Sequence, residues 1–231
     1  MQNMLNGEGH LKTANQRSNV GLSAAFLSYT PDNYRAAYMY VNIKVTPYDA
    51  STAPNEIIMD RRVMFVGAKD GSSYNFTVEK PVSATLTADG YYMFNNVKLI
   101  QGNWLYKTYD VEGSAISTYT IPSGNVDINH MVVQVQESES SDVSTTYQRY
   151  NSPFDLSQYA YLYFVELGID GLYVFEFGDG YLSRRVEDGN VIFLQYLETS
   201  GADGNDITSL SSASSIGGFN QVDVELVSER S

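Results

Sequence analysis

Short runs in which apolar and polar residues alternate, each closed by a glycine turn, recur along this chain and restrict it to a β fold. In one such run Met39, Val41, Ile43 and Val45 fall on one side, and Tyr38, Tyr40, Asn42 and Lys44 on the other. Successive side chains of a strand point to opposite faces, so this period of two predicts a strand over 36–45. Further strands are expected at 56–66, 73–78, 91–100, 104–111 and 131–135. Asp70-Gly71, Asp89-Gly90 and Gly102-Asn103 lie between them, and glycine supplies the positive φ that tight turns require. The 19 Tyr and 10 Phe point the same way, because flat side chains suit a pleated surface. The expected class is mainly β, as an antiparallel β-sandwich or barrel-like regions, with an N-terminal helix.

That helix is placed at 9–30, where Leu11, Ala14, Leu22, Ala25, Phe26 and Leu27 form a partial apolar stripe before Pro31. The chain then divides into an N-terminal helical segment (1–33), a first β domain (34–137), a polar connection (138–160) and a hairpin region with a closing strand (161–231). Ser138-Glu139-Ser140-Ser141-Asp142 marks the connection as exposed. A second polar segment spans 199–218, within which 209–215 could form a helical turn. The closing strand carries Val222, Val224 and Leu226 in alternation. Its expected partner is the ribbon before the polar segment or another subunit.

That ribbon is the most specific part of the sequence. Tyr173, Phe175 and Phe177 alternate with Leu172, Val174 and Glu176. Gly178-Asp179-Gly180 then forms a turn, Asp188-Gly189-Asn190 repeats the device, and 191–197 returns as a strand. Phe177-Gly178-Asp179-Gly180, Arg184, Asp188-Gly189-Asn190-Val191, Tyr196 and the run from Gly201 to Asn205 together resemble the signature segment of baseplate J-like proteins. That family includes a wedge subunit of T4-like contractile phage tails. Ser183 stands where the family often has a glycine before the basic residue. Thr13-Ala14-Asn15-Gln16-Arg17-Ser18 is similar to the stretch that leads from a helix into the first β region of such wedge proteins, and two matches in the right order outweigh either alone.

The resemblance implies a structural component of a phage tail baseplate wedge, made in the host cytoplasm and located in the virion. It would assemble with other wedge proteins around the hub, associate in pairs within a wedge, and transmit the change that triggers sheath contraction. No turnover is implied, and this chain is expected to be a portion of a longer protein.

Charge and composition bound the alternatives. The formal charge is −13, and from residue 155 onward thirteen acidic residues meet three basic ones. Phosphate neutralisation needs clustered Lys and Arg, so a general nucleic-acid partner is not expected. No stretch has the length of apolar residues that crosses a bilayer, and no membrane partner is expected. Without Cys there is no thiolate metal site or cysteine nucleophile.

Asp179, Asp188, Asp203 and Asp206 are hard oxygen donors of the kind calcium takes, but their spacing is not that of an EF-hand, and Asp-Gly is a common hairpin turn. Glu166, Glu176 and Asp179 could supply a glycosidase pair, although acids on alternating strands are usual on solvated sheet faces. His10 and His130 fall in no triad motif, and a surface or capping role is expected for both. No catalytic residue, metal or cofactor is assigned.

The interface candidates are Tyr147, Tyr150, Tyr159, Tyr161 and Tyr163 with the adjacent pair Arg184 and Arg185, since Tyr and Arg are favoured at the centres of interfaces. Core packing of the same tyrosines is the competing reading. Gly178, Asp179, Gly180, Asp188, Gly189 and Asn190 are read as structural turn residues. A carbohydrate-binding adhesin or receptor-binding tail protein, with one concave aromatic site, is the alternative function. A polysaccharide-degrading tail enzyme is the third.

Overall fold

The computed structural model describes residues 34–113, 118–168 and 170–227. The helix expected at 9–30, the motif at 13–18 and His10 lie outside the described residues. The chain is mainly β, as its alternation predicted. The first strands are β1 (Tyr38–Thr46), β2 (Glu56–Met59), β3 (Met64–Lys69), β4 (Ser72–Val78), β5 (Val82–Thr85) and β6 (Tyr92–Gln101). They are followed by β7 (Asn103–Asp110), β8 (Tyr119–Thr120), β9 (Val126–Gln136), β10 (Ser144–Arg149), β11 (Leu162–Leu167), β12 (Tyr173–Phe177) and β13 (Val191–Glu198). Two more, β14 (Leu210–Ser212) and β15 (Gln221–Leu226), close the series.

Two compact units divide the chain, one formed by Tyr34–Trp104 with Leu197–Ser231 and the other containing Leu105–Tyr196. The second is thus inserted into the first. Periodicity alone suggested consecutive regions at 34–137 and 161–231, because nothing local reveals that a late strand returns to an early one.

In the outer unit the sheet order is β14-β3-β4-β6-β1-β15, with β2 and β5 as a separate pair. Val41, Ile43 and Val45 of β1 are fully buried beside Phe65, Phe76, Tyr92 and Leu99. Each such side chain contributes about 1.5–3 kcal/mol, and a one-residue slip would turn all of them outward, which fixes the register. The closing strand β15 pairs antiparallel with β1, Val224 opposite Ile43, rather than with the 173–197 ribbon. Val222, Val224 and Leu226 pack on the same core as their β1 partners. The strand expected at 56–66 is two strands, parted where the Asp60 carboxylate accepts the Arg62 amide at 2.9 Å. The segment 209–215 contains β14 and not a helical turn.

In the inserted unit the order is β7-β13-β9-β10-β11-β12-β8. Its two edge strands come together at Tyr109, whose hydroxyl donates to the Thr120 carbonyl at 2.6 Å while its ring meets Tyr119 at 5.3 Å. The sheet is barrel-like as a result. Inside it lie Ile128, Val133, Tyr173, Phe175, Phe177, Ile192 and Leu194.

Three sequence expectations change here. Residues 138–160 are not only a connection, since β10 lies within them and pairs with β9 on one side and β11 on the other. Its single apolar residue, Tyr147, is too faint a signal for a periodicity reading, and the strand is held by ladders on both edges. The sheet is not wholly antiparallel, because β10 and β11 run parallel. Finally, β12 and β13 are strands as expected but form no hairpin with each other. The hairpin partner of β12 is β11, with Phe175 opposite Val165. Of the two faces that alternation separated on β12, the one carrying Tyr173, Phe175 and Phe177 is buried.

Candidate interface on two joined loops

Parallel neighbours cannot be joined by a tight turn, because the chain must travel back the length of the strand. The crossover from β10 to β11, residues 150–161, does so with a single 3-10 turn at Pro153–Asp155 and runs over the surface. The other long connection of the inserted unit, 178–190, lies against it. The Ser157 amide donates to the Leu182 carbonyl at 3.0 Å, and the Arg184 amide to the Ala160 carbonyl at 2.8 Å. Each loop therefore satisfies backbone groups of the other.

The signature turns build this second loop. The Asp179 carboxylate accepts the amides of Tyr181 at 2.8 Å and Leu182 at 3.1 Å, and these bonds hold its pKa below the ordinary aspartate value. The Gly180 amide donates to the Ser183 carbonyl, and Gly180 has φ of 92°. Gly178 admits no side chain, since a Cβ there would fall on Ser183. Ser183 has a fully buried hydroxyl that makes no hydrogen bond. Its φ is not positive, so close packing against Gly178, and not backbone conformation, favours a small residue there.

The second turn ties segments together. Val111 exchanges backbone bonds with Asn190 and Gly189, the Asp188 carboxylate accepts the Gly113 amide at 2.7 Å, and the Asn190 side chain donates to the Glu137 carbonyl at 3.0 Å. In the outer unit the end of the signature is equally structural. Thr199 Oγ1 donates to Gln101 Oε1 at 2.5 Å, the Ser200 amide donates to the same oxygen at 2.9 Å, and Gly204 lies where a Cβ would meet Gln101. Asp179, Asp188 and the glycines of the signature thus shape backbone. Among the described residues no three His, Cys, Asp or Glu side chains come close enough to hold a metal ion.

The tyrosine cluster divides. Tyr147 and Tyr163 are 5% and 3% exposed, part of the core, and burial pushes both phenols up to about 12. Tyr150 is half-buried and packs on Phe164 with ring centroids 5.0 Å apart. Tyr159 is 73% exposed. Tyr161 lies at the surface, where Arg184 reaches over its ring at 5.2 Å and donates to its hydroxyl at 3.2 Å. Arg185 is exposed.

Sequence reasoning missed three residues of this surface: Phe154, 98% exposed, Tyr181, 83%, and Leu182, 55%. Each stands in a turn-rich segment outside any alternating run. An isolated large apolar residue with no periodic companions was the available signal.

The other candidate groups are separately placed. Glu166 and Glu176 lie on the outer face of the β11–β12 pair, and desolvation, then the charge of Glu166, raises the Glu176 pKa. The Asp179 carboxylate, the third member of the suggested glycosidase set, is committed to its own turn. His130 is half-buried, its Nδ1 2.9 Å from the carboxylate of buried Asp127 three residues before it. A groove of about 310 Å³ beside β10 is lined by Asn129, Gln148, Arg149 and Asn151, and by the almost wholly buried Tyr147 and Tyr163, which offer it little stacking area.

These features define a two-unit β protein with a preformed, exposed aromatic surface. Its sequence is 27% identical over 227 residues to the baseplate wedge protein gp6 of Enterobacteria phage T4, a match that covers 90% of this chain. The chain spans 33% of that relative's length. No family model matches the chain.

Proposed function

We propose that this chain is a structural component of a phage tail baseplate wedge, of the J-like type, acting by assembly and without turnover. The observation that carries this is the match to a baseplate wedge protein along nine-tenths of the chain. The joined loops support it, because they hold large aromatic side chains in water at a fixed place, as an assembly protein requires of a surface that is covered later. In this reading the chain belongs to the virion, binds other wedge subunits, pairs with a second copy, and passes on the rearrangement that precedes sheath contraction.

Co-expression with the baseplate genes that neighbour its own tests the reading. A defined heteromer should purify. A chain that stays monomeric beside those proteins and instead retains a glycan would contradict it.

A further inference from the structure

We propose that the surface of the two joined loops docks an acidic segment of another wedge subunit, with partner carboxylates meeting Arg184 and Arg185 and partner apolar side chains covering Phe154, Tyr159, Tyr181 and Leu182. The inference deepens the wedge reading and rests on it.

Charge singles out the place. The inserted unit, Leu105–Tyr196, carries thirteen acidic residues and four basic ones, Lys107, Arg149, Arg184 and Arg185. Arg149 is engaged with the Ile128 carbonyl and the Asn129 side chain. Arg184 and Arg185 are the only adjacent basic pair of the unit, and both are exposed. Arg184 is held in place over Tyr161, with one Nη1 contact to the phenol and the rest of its guanidinium fork directed to no carboxylate among the described residues. Arg185 forms no ion pair there. Four acids share the two loops. Asp179 and Asp188 already accept loop amides, which leaves Asp155 and Glu187 as the rim.

Unpaired guanidinium groups beside exposed aromatic rings fit carboxylate recognition, because the planar fork binds a carboxylate through two parallel bonds while the rings exclude water around them. The acid excess of the rest of the unit opposes a phosphate backbone, which disfavours nucleic acid as the occupant. The backbone bonds between the loops lower the ordering cost on docking.

Two peptides of equal length test this by calorimetry on the full chain, one alternating Glu or Asp with Leu and Phe, the other with Lys replacing every acid. The acidic peptide should bind at least about tenfold more tightly, and weaken as salt rises from about 0.05 to 0.5 M. Arg184→Glu with Arg185→Glu should abolish the preference, and Arg184→Lys with Arg185→Lys should retain part of it. Both pairs are exposed, and an unchanged melting temperature will show that the fold is kept. Equal binding of the two peptides, or a preference that survives charge reversal, would overturn the inference, as would binding at these loops of a neutral oligosaccharide in place of the acidic peptide. If the co-expressed heteromer forms and tolerates the double Glu change, the wedge reading stands and this inference fails. If no heteromer forms at all, the wedge reading itself has failed.

Discussion

Tyr147 and Tyr163 share a residue type and a stretch of sequence with Tyr159 and Tyr161, yet the first pair fills a core and the second faces water. Strand membership makes the difference. Tyr147 and Tyr163 sit at inward positions of β10 and β11, whereas Tyr159 and Tyr161 belong to the crossover between these parallel strands. The same aromatic density therefore has two placements, packed into the core along the strands and exposed where the chain leaves the sheet.

The strongest way to break this comparison is truncation on each side of it. Tyr163→Ala should cost about 3–5 kcal/mol in urea unfolding, since it removes a buried ring from a packed core. Tyr181→Ala should change stability by no more than about 0.5 kcal/mol, as exposed positions do. Similar losses at the two sites would mean that the loops are part of the core after all.

A smaller effect probes how rigidly the loop is built. Gly178→Ala forces a methyl onto Ser183 and should cost about 1–3 kcal/mol, the usual range for overpacking. Ser183→Ala acts in the opposite direction, because it removes a buried hydroxyl that lacks a partner, and a gain of about 1 kcal/mol is expected. A loss at Ser183→Ala would show that the hydroxyl is bonded in solution.

The smallest effect concerns the outer sheet face. Burial, and then the charge of Glu166, raises the folded pKa of Glu176 above the ordinary glutamate value of 4.5, so the folded state holds its proton more tightly than the unfolded chain does. Stability is therefore greatest below that value with respect to this group, and falls as pH rises through 4.5 and the raised folded value. Glu176→Gln should be neutral in acid and modestly stabilising at neutral pH. Parallel pH profiles of the two proteins in urea would remove Glu176 from the account.

Much of the fold was legible. Alternation and turn signals placed β1, β4, β6, β7 and β12 to within a few residues. They missed β5 and β10, whose sequences Val-Ser-Ala-Thr and Ser-Thr-Thr-Tyr-Gln-Arg hold too few large apolar residues to show a period. Pairing was less legible than existence. The return of β15 to β1 and the separation of β12 from β13 depend on contacts between distant segments, which spacing along the chain does not encode.

The site was half legible. Tyr159, Tyr161, Arg184 and Arg185, named as interface candidates, lie at the surface, and the turn acids were read as backbone shapers, a reading that the Asp179 and Asp188 bonds match. Tyr147 and Tyr163 could not be told from them without the strand assignment. Phe154, Tyr181 and Leu182 escaped because they lie in segments that read as polar turns.

The most direct test is hydrogen exchange on the co-expressed heteromer compared with the chain alone. Backbone amides at 150–161 and 178–190 should gain protection on assembly, while those of β4 and β6 in the outer core stay unchanged. An assembled heteromer in which the two loops exchange as they do in the free chain would contradict the claim that this surface is where the protein docks.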